Sequence, residues 1–204
     1  MPLFRSKAEA KVREAGYDPA RLPPGQYLTE KWPVLHAGDV AHVDVATWTL
    51  RLFGQVEEEV TLDYEQLRAL PATEITTDIH CVTRWSRFDA GFRGVRWREL
   101  AALCRPKPSA RFVIAHAEAG YTENLPLAAL EEENALVAYE ADGEPLTAEH
   151  GGPARLLVPH LYFWKSAKWI AGVRVMDHEE PGFWESNGYH ILGDPWLEQR
   201  YWGD

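Results

Sequence analysis

Cys81 stands in the run Ile79-His80-Cys81-Val82-Thr83-Arg84-Trp85-Ser86-Arg87-Phe88, which puts three potential cations, His80, Arg84 and Arg87, within six residues of its sulfur. Neighbouring positive charge favours a thiolate, and a thiolate is a metal ligand or a nucleophile. A free cysteine is as often a small buried hydrophobe, and the run by itself leaves both readings standing. Cys104 differs: it recurs with Trp97, Leu100 and Ala101 at helical spacing on an apolar face, with no motif around it, which assigns it to the core. A zinc site would need about four Cys, His or carboxylate ligands at characteristic spacings, and neither C-x-x-C nor H-E-x-x-H occurs. His36, His116, His150 and His160 are available as bases for a cysteine nucleophile, but no recognisable nucleophile motif surrounds Cys81. Phosphate loops of the G-x-x-x-x-G-K-[ST] and G-x-G-x-x-G kinds are absent.

A second chemistry-bearing stretch is Glu149-His150-Gly151-Gly152-Pro153-Ala154-Arg155-Leu156-Leu157-Val158-Pro159, followed by Tyr162-Phe163-Trp164-Lys165-Ser166-Ala167-Lys168-Trp169. Glycines allow a ligand close to the backbone, Arg155, Lys165 and Lys168 supply charge for an anion such as a phosphate, and Ser166 supplies a hydroxyl donor. The alternative is a tight turn with a solvated charged face, since charged side chains usually lie at the surface.

The elements that must position these residues follow from periodicity. Ile75, Thr77, Ile79 and Cys81 alternate with Glu74, Thr76, Asp78 and His80, so a strand carries Cys81 at its end on the face of the isoleucines. Trp48 to Gly54 and Val60 to Leu62 read as strands, and Asp63 caps a short helix carrying Leu67 and Leu70 that Pro71 stops. An irregular, Arg-rich stretch follows Cys81, and the helix of Trp97 to Cys104 is closed by Pro106 and Pro108. Strand-like runs recur at Arg111 to His116, Leu136 to Tyr139, Arg155 to Val158 and Trp169 to Met176, with a hairpin turn at Asp142-Gly143. Residues 1–27 read as an extended, proline-bearing arm, of which Lys7 to Ala15 suits a short surface helix. Residues 28–204 read as a single domain without repeats, of α+β class, with layered mixed β-sheets and few short helices.

The totals agree with a packed, acidic globular domain. The chain has 204 residues, 46% of them hydrophobic and 25% charged, which is a globular composition able to bury a core. Nine tryptophans suit a dense core or aromatic walls around a ligand. A formal net charge of -10 opposes binding to nucleic acid, which needs Lys and Arg to displace counterions. No apolar run is long enough to span a bilayer and no signal core follows Met1, so a cytoplasmic protein with reduced cysteines is expected.

Together the two segments resemble the molybdopterin-binding domain of the sulfite oxidase family, including its short bacterial members and the catalytic subunit of the periplasmic methionine-sulfoxide reductase. His80-Cys81-Val82 through Trp85-Ser86 resembles the loop bearing that family's single cysteine ligand of molybdenum, and Gly120-Tyr121-Thr122-Glu123-Asn124-Leu125-Pro126-Leu127 is similar to its G-Y-x-x-x-x-P-L stretch. Gly151 to Pro159 resembles its G-x-P-x-R-L-x-V-P element, Lys165 to Trp169 its K-S-x-K-W, and Pro181 to Trp196 the tail of the short cytoplasmic members.

The resemblance implies that fold, a molybdenum-molybdopterin cofactor, and Cys81 as metal ligand. It further implies cofactor contacts at His80, His150, Arg155, Phe163, Trp164, Lys165, Ser166 and Lys168, with His116 and His36 as additional ones. Arg84 and Arg87 follow Cys81 closely enough in sequence for one of them, Arg84 first, to steer a small S-oxide, N-oxide or sulfite-like substrate, and Tyr121 would donate a hydrogen bond near the metal; surface arginines and a packed tyrosine are the alternatives. The chain has no room for the haem or dimerisation domains of longer members, which implies a separate electron-transfer protein. A catalytically silent cofactor-binding or interaction protein is the competing class.

Overall fold

The computed structural model describes residues 2–204, and side chains from Lys7 onward apart from that of residue 119. In chain order its elements are α1 (Pro2–Glu14), β1 (Tyr27–Leu28), β2 (Thr49–Gly54), β3 (Val60–Asp63), α2 (Tyr64–Ala69), β4 (Ala72–His80), β5 (Trp85–Arg96), α3 (Trp97–Cys104), β6 (Phe112–Ala117), β7 (Thr122–Pro126), α4 (Leu127–Glu131), β8 (Leu136–Ala141), β9 (Glu144–Pro145), β10 (Arg155–Leu157), β11 (Ile170–Met176) and α5 (Phe183–Ser186). Five strands form one sheet in the order β3-β2-β11-β6-β7, in which only β2 and β11 run parallel. Six form the other: β1, β5, β8 and β10 lie side by side, β4 pairs with β5, and β9 pairs with β8. This is the α+β arrangement of mixed sheets with few helices. No helix among the described residues is long and apolar enough to cross a membrane.

Alternation sends the side chains of the six-stranded sheet to two different cores. Along β8, Val137 and Tyr139 join the main core between the sheets, with Leu50, Leu52, Val113, Val173 and Leu100, while Leu136 and Ala138 face a second cluster. Leu156 and Leu157 of β10 divide in the same way. The second cluster holds Ile79, Cys81, Trp85, Phe92 and Phe163, so the sulfur faces away from the main core. Cys104 is sealed on α3 in the main core, where burial pushes its thiol up to about 11.

Two parts differ from the sequence reading. The stretch after Cys81, expected to be irregular, is the long central strand β5. Its arginines and glycines mask the pattern: Trp85, Phe88, Ala90 and Phe92 are buried, a bulge at Phe88–Asp89 absorbs one residue against β4, and Gly94 lies where the β8 backbone passes. In residues 1–27, expected to be an extended arm with a short surface helix at Lys7 to Ala15, α1 starts earlier and packs Ala8 and Val12 against Leu22 and Phe88. Arg21 ties this segment to the sheet through Asp78 (2.6 Å) and Asp89 (2.6 Å).

A Cβ at Gly94 would meet Val137 O and, at 2.6 Å, Ala138 Cα, both of them backbone atoms. Gly94→Ala is therefore expected to cost about 2–4 kcal/mol in urea unfolding; an unchanged midpoint would contradict the β5–β8 register.

Candidate functional site

β4 ends at His80, and residues 81–84 turn the chain into β5. The Cys81 N–H donates to Trp85 O (2.9 Å) and the Arg84 N–H to Cys81 O (2.9 Å), with Arg84 at a left-handed φ of 79°. Thr83 Oγ1 donates to Cys81 Sγ (3.2 Å). Burial pushes the Cys81 thiol up, against weaker downward pulls from Thr83 and the Arg200 charge. The three cations expected beside the sulfur are placed otherwise. His80, on the opposite face of β4, bonds Ser86 Oγ (2.8 Å), lies near Trp196, and is driven down to about 4 by burial, so it is neutral at pH 7. Arg84 is exposed, and Arg87 pairs with Asp142 (2.5 Å).

The wall beside Cys81 comes from the second segment. Arg155 is 1% exposed, and its guanidinium donates to His150 O (2.8 Å), Ser166 O (2.7 Å) and Leu156 O (3.4 Å), with no carboxylate partner among the described residues. Phe163 lies 4.3 Å below it and Trp32 5.7 Å away. Desolvation pulls Arg155 down to about 9, which leaves it cationic at neutral pH. Trp32 stacks on His150 (4.0 Å), takes Arg87 over its ring (5.6 Å), and its carbonyl meets His150 Nε2 (3.3 Å). Lys168 donates to Leu35 O (2.9 Å) and Glu149 O (2.6 Å), and burial draws it down to about 8. The His36 ring stands 6.1 Å from Trp169, on the same side. Ser166 turns its hydroxyl inward to accept from the Val158 N–H (2.9 Å). Phe163 joins the two halves: it packs in one cluster with Cys81 and Trp85 while carrying Arg155 on its face.

Other residues from the sequence reading lie elsewhere. Lys165 is fully buried between Glu123 (2.9 Å) and Glu185 (2.7 Å), and also donates to Asn124 O, Asn124 Oδ1 and Ile191 O. Its ammonium is committed to those partners and not to the wall beside Cys81. Tyr121 donates to Glu123 Oε2 (2.7 Å) and Trp164 Nε1 to Glu185 Oε1 (2.9 Å), so both belong to that network. His116 sits on β6 beside Phe53 of β2 (5.6 Å), near Arg174, on the face turned from the main core. The glycines at 151 and 152 serve packing: a Cβ at Gly151 would meet Lys168 Cβ at 2.8 Å, and one at Gly152 the Leu146 carbonyl. Sequence reasoning missed Trp32, Gln26 and Arg200. They stand outside every motif quoted above, and only the aromatic excess hinted at Trp32.

With this geometry in view, comparison with known proteins decides the family. The model of the oxidoreductase molybdopterin-binding domain matches residues 37–184. The chain belongs to that family. It is a molybdopterin-dependent oxidoreductase of sulfite oxidase type, and its cofactor is molybdenum-molybdopterin. Among similar proteins, the uncharacterized oxidoreductase YuiH of Bacillus subtilis strain 168 is 49% identical over 185 residues, 90% of this chain and 93% of that protein. The putative protein-methionine-sulfoxide reductase subunit YedZ1 of Azospira oryzae is 27% identical, across 87% of this chain and 70% of that protein. Human mitochondrial sulfite oxidase is 27% identical, across 82% of this chain but 37% of its own length. The solved structure of the sulfane dehydrogenase SoxCD from Paracoccus pantotrophus shares the fold, with a TM-score of 0.64 at 22% identity, over 70% of this chain and 41% of that one.

The residues around Cys81 fit the family's cofactor. Among the described residues, Arg155 is a buried cation with carbonyls and aromatic faces but no anion, and Trp85 Nε1 and the Tyr162 hydroxyl are buried donors without an acceptor. An anionic, acceptor-rich ligand complements that set. Among the described residues no group of three or more His, Cys, Asp or Glu is placed to hold a metal ion.

Two pH effects follow. Desolvation raises the Glu123 carboxyl well above the usual carboxylate range, so its contribution to stability is complete below the unfolded-state pKa of about 4.3 and is lost as pH rises toward the elevated folded value. Glu123→Gln is expected to flatten that decline in urea midpoints measured against pH; an unaltered slope would assign it to other groups. Lys168, drawn down to about 8, discharges as pH passes that value. Sulfate affinity of the cofactor-free protein is thus expected to fall by up to about tenfold between about pH 7 and pH 9, and Lys168→Gln to remove the part of that fall centred near pH 8 while leaving the later part due to Arg155, as titration calorimetry would show.

Proposed function

We propose that Cys81 is the protein's ligand to molybdenum, and that the enzyme moves an oxygen atom to or from a small S-oxide, N-oxide or sulfite-like substrate while a separate electron-transfer protein exchanges the electrons. The observation that carries this reading is the buried, anion-free Arg155 guanidinium stacked on Phe163, the ring that also packs with Cys81. Bound there, the cofactor supplies two-electron, oxygen-atom-transfer chemistry, and the protein supplies binding, orientation and charge.

The chain's own groups divide that work. Arg155 and Lys168 hold the cofactor's anionic part, with His150 and the Trp85 and Tyr162 donors turned to its polar edges. Trp32 and Phe163 exclude water from the wall, which strengthens each of those charge-assisted bonds. Thr83 fixes the rotamer of Cys81 through its hydrogen bond to the sulfur. Arg84, exposed on the turn and in no ion pair among the described residues, steers an anionic or S–O-bearing substrate toward the sulfur. Relatives that carry the names sulfite oxidase and methionine-sulfoxide reductase favour an S–O bond as the reacting group.

Protein made in a host that synthesises the pterin should contain molybdenum and reduce S-oxides or N-oxides, or oxidise sulfite, with a redox dye as electron partner. Cys81→Ser should remove one sulfur scatterer from the molybdenum X-ray absorption spectrum and lower turnover more than about 100-fold. A metal shell with the same number of sulfurs in that variant would eliminate Cys81 as the ligand, and bound metal without turnover in either direction would favour a silent binding protein.

A further inference from the structure

The turn that carries Cys81 is held by two segments distant in sequence. Gln26 is 1% exposed, and its Nε2 donates to Cys81 O (3.0 Å). Arg200 is 6% exposed; NH1 donates to Val82 O (2.7 Å) and NH2 to Pro24 O (3.4 Å). The Tyr27 N–H donates to Arg84 O (2.8 Å) and the Thr29 N–H to Ser86 O (2.9 Å), extending the grip along β1. The two holding segments also fit each other closely. Gly25 has a φ of +71°, and a Cβ there would meet Glu198 Oε1 at 2.6 Å and Arg200 NH2 at 3.2 Å. Arg200 is backed by the Tyr162 ring (4.9 Å) and by Glu198 (3.9 Å).

Within the turn itself, the i to i+3 bond from Arg84 N–H to Cys81 O closes the loop around a left-handed Arg84. A lone neutral hydrogen bond is a weak constraint, whereas one donated by a buried guanidinium is about twice as strong. We infer that Gln26 and Arg200 are positioning residues for the metal ligand: from opposite chain segments they clamp the carbonyls of Cys81 and Val82, so that the sulfur is presented at one place and in one orientation. The inference rests on the reading of Cys81 as ligand. Metal sites demand such support, because a ligand on a loop that shifts loses geometry before it loses contact.

The test uses Arg200→Gln, Arg200→Lys and Gln26→Leu in the full chain. Gln26 Oε1 is buried without a partner, so Gln26→Leu removes an unsatisfied acceptor together with the donor and leaves the fold intact. In cofactor-free protein, amide hydrogen exchange over residues 81–86 is expected to quicken roughly tenfold or more in Arg200→Gln and Gln26→Leu, with β11 unchanged. Arg200→Lys, which keeps the charge but reaches only one carbonyl, should fall between. In molybdenum-loaded protein, Arg200→Gln should retain the metal yet split the Mo(V) paramagnetic resonance into more than one species, with Lys restoring most of the single signal. Exchange at 81–86 equal to wild type, or acceleration shared by β11, would overturn the clamp. X-ray absorption of Cys81→Ser separates the two ideas. Faster exchange in the clamp variants with no sulfur lost in Cys81→Ser defeats the ligand reading and the clamp's purpose with it; a lost sulfur without faster exchange defeats the clamp alone.

Discussion

Withdrawing a guanidinium from water costs several kcal/mol even after the protein relaxes around it, and the chain around Arg155 is shaped by that cost. Its donors are met by carbonyls of His150, Ser166 and Leu156, and its faces by Phe163 and Trp32. Those carbonyls must point inward, which fixes the path of residues 150–166. Ser166 then closes the loop by accepting from Val158, and Trp169 N–H returns to Gly151 O (3.1 Å). The wall that faces Cys81 follows from surrounding one buried cation with carbonyls and rings, with no acid beside it among the described residues.

Lys165 shows the opposite solution ten residues on. It is as deeply buried as Arg155, but two carboxyls and three oxygens of Asn124 and Ile191 surround it. Arg155 retains an unanswered positive charge and so attracts an anion, while Lys165 locks β7, the turn after Phe163 and α5 together. On the function proposed above, one cation serves binding, while the other holds the frame. Their separation lies in where Glu123 and Glu185 fall in space, which no local motif records.

The same distinction governs what could be read from the sequence. Local rules placed Cys81 at the end of β4 on the face of Ile79, put Cys104 in the core, and found the Asp63 cap, where Gln66 and Asp63 exchange bonds (2.9 and 2.8 Å). The Asp142-Gly143 turn joins β8 to β9 with both residues at positive φ. These features depend on neighbours in the chain. The β5 strand was hidden because Gly91 and Gly94 answer to Asp142 and Val137 across the sheet, and Trp32, Gln26 and Arg200 reach His150, Cys81 and Val82, each more than 50 residues away. The surroundings of His80 and His116 were hidden for a related reason: a strand shows which residues share a face, but not what that face meets.

Strand order also has a consequence for synthesis. The five-stranded sheet has β11 between β2 and β6, and β2 pairs in parallel with a segment made some 120 residues later. While the ribosome is still extending the chain toward residue 170, that sheet lacks a central member and its apolar inner faces have nothing to close on. Arg200 reaches the Cys81 turn later still. Both the five-stranded sheet and the Cys81 turn are accordingly completed only by segments that follow residue 169.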